Sequence, residues 1–189
     1  GDSARGKCWD KSVMPNYVDN NRIKKNKIEN VPVWVATPAA LEKMCNHLSA
    51  EPMIAVDTES DSLYSYFEKV CLLQFSTRET DYLVDPLELN GKANAMLTLA
   101  PFFANAPIEK VFHAAEYDIL CLKRDYHFEF VNIFDTMIAA RVLGWKNVGL
   151  GNILQERFGI TLNKKMQRAD WGMRPLSEEH LSYAREDTH

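Results

Sequence analysis

The sequence predicts a mixed α/β domain, with a central mixed β-sheet flanked by α-helices. Short apolar runs that are typical of strands lie mainly in the first half of the chain. Segments in which apolar residues recur at helical spacing gather towards the end. The 189 residues, of which 46% are hydrophobic and 25% charged, suit one domain with a sizeable core. Together these observations predict strands assembled into one sheet, with helices packed against it.

The first predicted elements are a strand, a helix and a longer strand. Residues 33–36 form a short apolar run. Thr37 is a suitable helix N-cap, and Pro38 suits the first helical position because its missing N–H would have no partner there. Helical spacing relates Leu41, Met44, Cys45 and Leu48. After Pro52, residues 53–59 predict a buried strand, because they form an apolar run that ends in two carboxylates.

Two more strands and a helix are predicted next. Residues 70–76 and 82–84 have strand-like composition, and the polar segment 77–81 between them predicts a hairpin turn. Residues 93–100 are predicted to form a helix. We expect Pro101 to end or kink that helix, because proline cannot donate a helical hydrogen bond.

The second half of the chain predicts further strand–helix units. Residues 114–126 are predicted to form a helix that buries Ile119, Leu120 and Leu122. Ser177 is predicted to cap the last helix. The other elements are a strand at 110–113, a strand-to-helix unit at 133–143, a helix at 150–158 ended by Gly159, and a basic loop at 163–175.

The charge and the cysteines restrict the class of protein. A net charge of -4 and a pI of about 5.8 argue against a broadly basic nucleic-acid coat protein. They leave room for a nucleic-acid enzyme whose acidic site binds cations. No apolar run approaches the roughly 18 residues that span a bilayer, so no membrane partner is predicted. The scattered cysteines lack zinc-like spacing and indicate a reducing compartment, predicted to be bacterial cytoplasm, with the nucleus or an organelle left open.

Residues 1–30 are predicted to form a polar N-terminal arm, separate from the domain at 31–189. The arm contains a short basic cluster of Arg22, Lys24, Lys25 and Lys27. A solvated arm is the favoured interpretation. The alternative is an arm that contacts phosphate groups.

Two carboxylates mark the end of the strand at 53–59. Alternate side chains of a strand point to the same face, so Asp57 and Glu59 are predicted to lie side by side. Two like charges delivered by a buried strand need a positive partner, and a divalent metal ion is the simplest candidate.

Three later residues carry the chemistry that would complete such a site. Asp118 lies in the first turns of the helix at 114–126. Tyr183 and Asp187 are four residues apart on the last helix, a spacing that places both on one face. Two Mg²⁺ or Mn²⁺ ions would neutralise four converging carboxylates. Such a pair of ions activates a water and stabilises the leaving oxygen of a phosphodiester.

The sequence resembles the DEDDy branch of the DEDD 3′–5′ exonucleases, in particular ribonuclease D and the related exosome-associated exonucleases. The resemblance covers about residues 31–189. It rests on three motifs in order, which are Val56-Asp57-Thr58-Glu59-Ser60, His113-Ala114-Ala115-Glu116-Tyr117-Asp118-Ile119-Leu120, and Tyr183-Ala184-Arg185-Glu186-Asp187-Thr188-His189. Phe134-Asp135-Thr136 and the segment 169–176 also match the ribonuclease D pattern.

The resemblance implies a ribonuclease H-like (DnaQ-like) fold and a role for each site residue. Asp57 would contact both metals, Glu59 and Asp187 would complete the first metal site, and Asp118 would hold the second metal. Tyr183 would orient the attacking water. The implied activity is a 3′–5′ exoribonuclease that releases nucleoside 5′-monophosphates from the single-stranded 3′ end of RNA, such as a transfer RNA precursor. The alternatives are a DNA-directed exonuclease and an inactive RNA-binding module of the same fold.

The resemblance also implies a longer protein. Family members usually carry small helical nucleic-acid-binding domains after the exonuclease domain, and we expect one in the full-length protein. The present sequence is expected to be truncated within the third motif. Because only Thr188 and His189 follow Asp187, we expect Asp187 to be poorly ordered or metal-free.

Further residues are candidates for contact with substrate. His113 is more often a core histidine at a strand end, but substrate contact remains an alternative. Leu63 and Tyr64 either pack within an exposed hairpin tip or stack against terminal bases. Arg174 is predicted to belong to a phosphate-binding rim on the basic loop. Two nearby residues have structural interpretations, Asp135 as a helix N-cap and Trp171 as a packing anchor.

Overall fold

The computed structural model describes residues 31–89 and 94–189, and the sheet within these ranges has six strands. They are β1 (Val33–Val35), β2 (Met53–Ser60), β3 (Val70–Ser76), β4 (Asp81–Val84), β5 (Glu109–Phe112) and β6 (Ile133–Asp135). Their order across the sheet is β1-β4-β3-β2-β5-β6. Strand β3 is antiparallel to β2 and β4, and the other neighbouring strands are parallel. The predicted mixed sheet is therefore confirmed.

Helices connect and cover these strands. They are α1 (Pro38–Leu48), α2 (Pro86–Leu89), a 3₁₀ helix (Ala95–Leu99), α3 (Ala100–Phe103), α4 (Glu116–Tyr126), α5 (Thr136–Val142), α6 (Leu150–Phe158) and α7 (Glu178–Glu186). Within the described ranges, none of these helices has the length and apolar character needed to cross a membrane.

Local chemistry determines where several helices begin and end. The Thr37 side chain accepts a hydrogen bond of 3.2 Å from the Ala40 N–H, as an N-cap does. Ser177 caps α7 in the same way, accepting from the His180 N–H at 3.4 Å. Gly159 ends α6 with a φ of +70°, a left-handed conformation that glycine adopts without steric cost. These predicted boundaries are confirmed.

Two sequence predictions of local structure are wrong. Pro101 does not end a helix over 93–100. It lies in the first turn of α3, where its missing N–H costs no hydrogen bond, and the residues before α3 form the 3₁₀ helix. Leu120 is not buried, because 59% of it is exposed on the outer face of α4, while Cys121 and Leu122 point into the core.

The two faces of the sheet carry separate apolar clusters. The larger cluster includes Leu73 and Phe75 of β3 and residues of α1, α3 and α4. The smaller cluster joins Leu72 and Leu83 to Tyr183 of α7. Alternation along β3 explains the division, because Leu72 and Leu73 point to opposite faces. Helix α7 is thereby packed against the face of the sheet that is opposite to α4.

The predicted N-terminal arm at 1–30, with its basic cluster, lies outside the described residues. The same holds for residue 93, the first residue of the predicted helix before Pro101.

Candidate metal centre

Three carboxylates converge where β2 meets the end of α7. One oxygen from each of Asp57, Glu59 and Asp187 lies within 4.8 Å of the others. Asp57 and Glu59 meet there because alternate residues of β2 share a face. Asp187 arrives from the other side of the cleft as the C-cap of α7. The structure thus brings together three of the four predicted metal ligands.

Contacts with the β3–β4 hairpin hold the last turn of α7 in place. The Arg185 Nε donates to Asp81 Oδ2 at 2.5 Å, and the Thr188 and Ser76 hydroxyls lie 2.8 Å apart. Sequence reasoning missed Asp81 and Ser76, because both flank a turn that was predicted only to connect two strands. These contacts oppose fraying of the turn that carries Asp187. The expectation that Asp187 is poorly ordered or metal-free stays a prediction.

Asp118 lies beside this group but outside it. Its Oδ1 accepts a hydrogen bond of 2.5 Å from the Thr58 hydroxyl, and its side chain is buried. Thr58 lies between Asp57 and Glu59 in β2, so its side chain points to the opposite face, towards α4. Thr58 was not predicted as a site residue, although its position between two candidate ligands signals proximity. The fourth carboxylate is therefore close to the centre and already oriented by a hydrogen bond.

A turn held by Asp135 positions Asp118. The Asp135 carboxylate accepts from the Ala114 and Ala115 N–H groups, at 3.1 and 2.9 Å. It also caps α5, accepting from the Met137 N–H at 2.8 Å. Ala114 has a φ of +62°, and this carboxylate stabilises the unusual turn that leads into α4. The predicted capping role of Asp135 is confirmed.

Burial and neighbouring negative charges raise the proton affinity of the four carboxylates. Burial raises the pKa of Asp57 well above its ordinary value, and the charges of Asp118 and Asp187 raise it further. Burial and then the charge of Asp57 raise the pKa of Glu59 to about 9. Burial raises the pKa of Asp118 and of Asp187 to about 6. Four ionised groups here need added positive charge at neutral pH.

This donor set fits divalent cations. The candidate ligand atoms are carboxylate oxygens, which Mg²⁺ and Mn²⁺ prefer. Thiol and imidazole donors, which favour softer metals, are absent from the group of three within the described residues. The resident cation would therefore be a hard, divalent one.

Tyr183 is a hydrogen-bond donor to this centre. Its side chain is buried between the sheet and the Trp171 ring, and its hydroxyl donates to the Asp187 carboxylate. Burial, followed by the charges of Asp187 and Glu59, raises the pKa of Tyr183 above its ordinary value. The phenol therefore keeps its proton at neutral pH, and it orients neighbouring groups and does not act as a base.

His113 faces the same cleft in a neutral form. Its Nδ1 lies 2.9 Å from the Thr136 hydroxyl, and burial lowers the pKa of the ring. The cleft encloses about 620 Å³, and Asp57, His113 and Lys164 are among the residues that line it. His113 thus lines the same cleft as Asp57, and its contact with substrate stays a prediction.

Arg174 does not belong to a phosphate-binding rim. Its Nε and Nη2 bind the buried carboxylate of Asp85 at 2.7 and 2.8 Å. Its remaining donors reach the carbonyl oxygens of Trp171, Met173 and Cys71. All five guanidinium N–H groups are used inside the protein, so none is left for a phosphate. The prediction for Arg174 is corrected to a structural role.

Leu63 and Tyr64 lie on the surface, outside the lining of the cleft. Their exposed fractions are 66% and 57%, and the Tyr64 hydroxyl donates to the Arg168 carbonyl at 2.5 Å. The hydrogen bond ties the segment after β2 to the basic loop. Their contact with substrate stays a prediction.

Trp171 is a packing anchor, as predicted. Its ring is buried and packs edge-on against His180, with ring centroids 5.1 Å apart. It thereby fixes the basic loop beneath α7.

Comparison with known proteins identifies nucleases. A family model described as 3′–5′ exonuclease matches residues 32–189. Protein RRP6-like 3 of Arabidopsis thaliana is 43% identical over 157 residues, which are 83% of this chain and 17% of that protein. Exosome complex exonuclease RRP6 of Saccharomyces cerevisiae is 43% identical over 161 residues, which are 85% of this chain and 22% of that protein. The chain thus spans about a fifth of the length of these curated relatives.

Solved structures show the same arrangement of the chain. The catalytic core of RRP6 from Trypanosoma brucei is 36% identical with a TM-score of 0.78, over 89% of this chain and 51% of that one. Escherichia coli RNase D is 28% identical with a TM-score of 0.74, over 83% of this chain and 41% of that one. These matches confirm the predicted ribonuclease H-like fold and the resemblance that the motifs indicated.

Proposed function

Because the chain belongs to the 3′–5′ exonuclease family, we propose that it is a metal-dependent 3′–5′ exoribonuclease. The reaction hydrolyses the 3′-terminal phosphodiester of RNA and releases nucleoside 5′-monophosphates one at a time. The observation that carries the proposal is the convergence of Asp57, Glu59 and Asp187 beside the Tyr183 hydroxyl. Half-buried carboxylates with raised pKa values, at the wall of an open cleft, are typical of a reactive centre.

RNA is the proposed substrate. The yeast relative is named as an exosome complex exonuclease, and the E. coli structure is described as an exoribonuclease involved in structured RNA processing. The description of the E. coli protein names RNA, which favours RNA over DNA as the polymer. The proposed substrate is the single-stranded 3′ end of a structured RNA, such as a transfer RNA precursor, which would enter the open cleft beside the carboxylates.

We assign two divalent ions, Mg²⁺ or Mn²⁺, to the centre. Asp57, Glu59 and Asp187 would hold one ion, and Asp118 would hold the second together with Asp57. When bound, the ions stabilise the negative charge that develops on the phosphodiester and lower the pKa of a water. The raised pKa values of the four carboxylates support this assignment. Burial raises all four, neighbouring ligand charges add to the shifts of Asp57 and Glu59, and bound cations would stabilise the ionised forms.

The protein's own groups position the reacting atoms. The Tyr183 hydroxyl donates a hydrogen bond to Asp187 and keeps its proton, so its oxygen lone pairs are free to accept a hydrogen bond from the attacking water. A water held in this way presents its oxygen towards the phosphorus, which lowers the entropic cost of attack. Neutral His113 lies on the cleft wall and would contact the terminal nucleotide.

Surface residues around the cleft would guide the strand. Lys164 lines the cleft and would contact a phosphate in place of Arg174. Leu63 and Tyr64 would stack against the terminal bases, since stacking holds single strands without reading sequence. A helical nucleic-acid-binding domain, expected in the full-length protein, would add further contacts.

The cellular location is proposed to be eukaryotic, in the nucleus or the cytoplasm. The two curated relatives described above come from a plant and a yeast, which gives no support to the predicted bacterial cytoplasm.

Product analysis tests the proposed activity. The substrate is a 3′-extended transfer RNA labelled at its 5′ end, beside a DNA strand of the same sequence, with Mg²⁺, Mn²⁺ or a chelator. We expect a ladder of RNA products shortened one nucleotide at a time, release of 5′-monophosphates, and no reaction with chelator. Asp57→Asn should lower the rate by about 10³-fold or more while the protein stays folded, because the ion loses a ligand.

Three results would contradict the proposal in different ways. Preferred degradation of DNA would favour a DNA-directed exonuclease. RNA binding without cleavage would favour an inactive binding module. Wild-type rates for Asp57→Asn would remove the carboxylate centre from the mechanism altogether.

A further inference from the structure

Within the described part of the chain, the side chain of Gln74 has no hydrogen-bond partner at either Nε2 or Oε1. Gln74 lies in the middle of β3, and only 1% of the residue is exposed. Burying both polar atoms of an amide without partners is unfavourable, and native proteins rarely do so. Gln74 therefore needs a polar partner, and its neighbours in the sheet show which groups are within reach.

The strand register places Gln74 next to the carboxylate centre. Gln74 is directly opposite Asp57 in the antiparallel pair of β2 and β3. Residues directly opposite each other share a face of the sheet, with Cβ atoms about 5 Å apart. A glutamine amide easily reaches across that spacing to a carboxylate.

The surroundings of Gln74 on its other side are apolar. Its neighbour on β4 is Leu83, which belongs to the buried cluster with Leu72, Tyr183 and Ala184. Helix α7 covers this cluster, so bulk water has no open path to the amide from that side. Asp57 is thus the polar group that the sheet itself brings closest.

We propose that Gln74 is a positioning residue for Asp57, donating an Nε2 hydrogen bond to the Asp57 carboxylate when that carboxylate holds a cation. The inference rests on the proposed function, since it assigns Gln74 to the same metal centre. A carboxylate has about four lone-pair positions, so Asp57 has room for both a cation and an amide donor. Donors in contact with ligating carboxylates fix their orientation and strengthen metal binding.

An amide suits this position better than a charged donor. A lysine or arginine at position 74 would neutralise Asp57 and repel a cation. The glutamine N–H donates without adding charge, so the full negative charge of Asp57 stays available to the ion. This chemistry explains why position 74 of β3 carries a polar side chain although it is buried. Leu72, which is two residues away on the same face and is also buried, is apolar.

One structural alternative involves Trp171. The Trp171 Nε1 is also buried without a partner, and Trp171 belongs to the same apolar cluster as Leu83. A trapped water could link the indole N–H to the Gln74 amide. In that arrangement Gln74 would serve packing alone, and its loss would leave cation binding unchanged.

Direct measurement of Mn²⁺ binding separates these arrangements. Free Mn²⁺ is quantified by its paramagnetic resonance signal during titration of wild type, Gln74→Met and Leu72→Met. Methionine matches the length of glutamine and removes its hydrogen bonds. Leu72→Met is the matched control, because it changes the shape of a buried side chain on the same strand face. Denaturant unfolding with chelator records the stability of each protein without metal.

We expect Gln74→Met to raise the Mn²⁺ dissociation constant about tenfold or more, with Leu72→Met within about twofold of wild type. Metal-free Gln74→Met should be as stable as wild type, because an unpaired buried amide has been removed. If Gln74→Met fails to fold, Gln74→Asn is the second variant, because its side chain is one methylene shorter and its amide lies farther from Asp57. The same rise in the Mn²⁺ dissociation constant is expected.

The outcomes that overturn the inference differ from those that overturn the proposed function. Equal Mn²⁺ affinity in wild type and Gln74→Met removes Gln74 from the centre and leaves the exonuclease proposal standing. Absence of Mn²⁺ binding in the wild type removes the metal centre itself, and the role of Gln74 with it.

Discussion

The Arg185 guanidinium binds the Asp81 carboxylate across the gap between α7 and the β3–β4 hairpin, with Nε 2.5 Å from Oδ2. Both side chains are largely buried, at 11% and 4% exposed. Burial alone would raise the pKa of Asp81, but hydrogen bonds from Ser76 and Arg185 outweigh it and lower the pKa. The pair ties the helix turn that carries Asp187 to the hairpin, so a residue with no ligand atom of its own supports the candidate metal centre.

Arg185→Ala should therefore weaken both the fold and the centre. Removing one member of a buried pair leaves Asp81 without its main cationic partner, and we expect a loss of about 3 kcal/mol in the free energy of unfolding. Denaturant unfolding measures this loss. The affinity for Mn²⁺ should fall as well, because Asp187 loses its support.

Arg141→Ala is the control for this substitution. Arg141 is exposed on α5, and its loss should change the free energy of unfolding by no more than about 0.5 kcal/mol. Equal effects of the two alanine substitutions would show that the Arg185–Asp81 pair does not support α7.

Tyr183→Phe should lower kcat by about 10²-fold with little change in KM. The substitution keeps the buried ring and removes the hydroxyl that orients the water, so substrate binding is retained. Steady-state degradation of a short RNA measures both constants. Tyr117→Phe is the matched control, since the hydroxyl of that exposed tyrosine donates a hydrogen bond to Glu68 at 2.5 Å, away from the cleft. A full-rate Tyr183→Phe enzyme would exclude the positioning role.

Arg174→Ala tests the corrected role of a predicted substrate-binding residue. Because Asp85 is fully buried, loss of its bidentate partner should lower the free energy of unfolding by about 3–5 kcal/mol. Arg174→Lys should rescue only part of the loss, since lysine lacks the planar fork. A protein of normal stability with a raised KM for RNA would instead restore the phosphate-binding interpretation.

The parts of the site that depend on local spacing were predictable. Alternation along β2 was enough to place Asp57 and Glu59 together, because a strand has only two faces. The i, i+4 spacing on α7 was enough to bring Tyr183 next to Asp187, and the structure has a hydrogen bond between them. That the two segments meet was indicated only by the family resemblance, because no periodicity links positions so far apart in sequence.

Residues whose partners lie far away in the chain were mispredicted or missed. The guanidinium of Arg174 binds Asp85, 89 positions earlier, and nothing in either local sequence signals the pair. Gln74 lies within an apolar strand run and was missed. Its position opposite Asp57 follows only from the pairing of β3 with β2, which the local sequence does not show. Pro101 was mispredicted for a local reason. Proline occurs both just after a helix and in the first turn of the next one, and the sequence alone does not distinguish the two positions.

The metal-free protein should lose stability as the pH rises from about 4 to about 9. Unfolded Asp and Glu have pKa values of about 4, whereas folded Glu59 has a pKa of about 9 and folded Asp118 one of about 6. Between these values the folded protein binds more protons than the unfolded one, so each group lowers the free energy of unfolding by about 1.4 kcal/mol per pH unit. The stabilisation is complete below pH 4 and disappears above the folded pKa.

Urea unfolding with chelator at pH 5, 7 and 9 measures this slope. Glu59→Gln should flatten it between pH 7 and 9, because it removes the group with a pKa of about 9. Mg²⁺ should restore stability most strongly at pH 9, where the carboxylates are ionised and repel one another in the absence of a cation. A metal-free stability that rises towards pH 9 would mean that the carboxylates are not held together in solution.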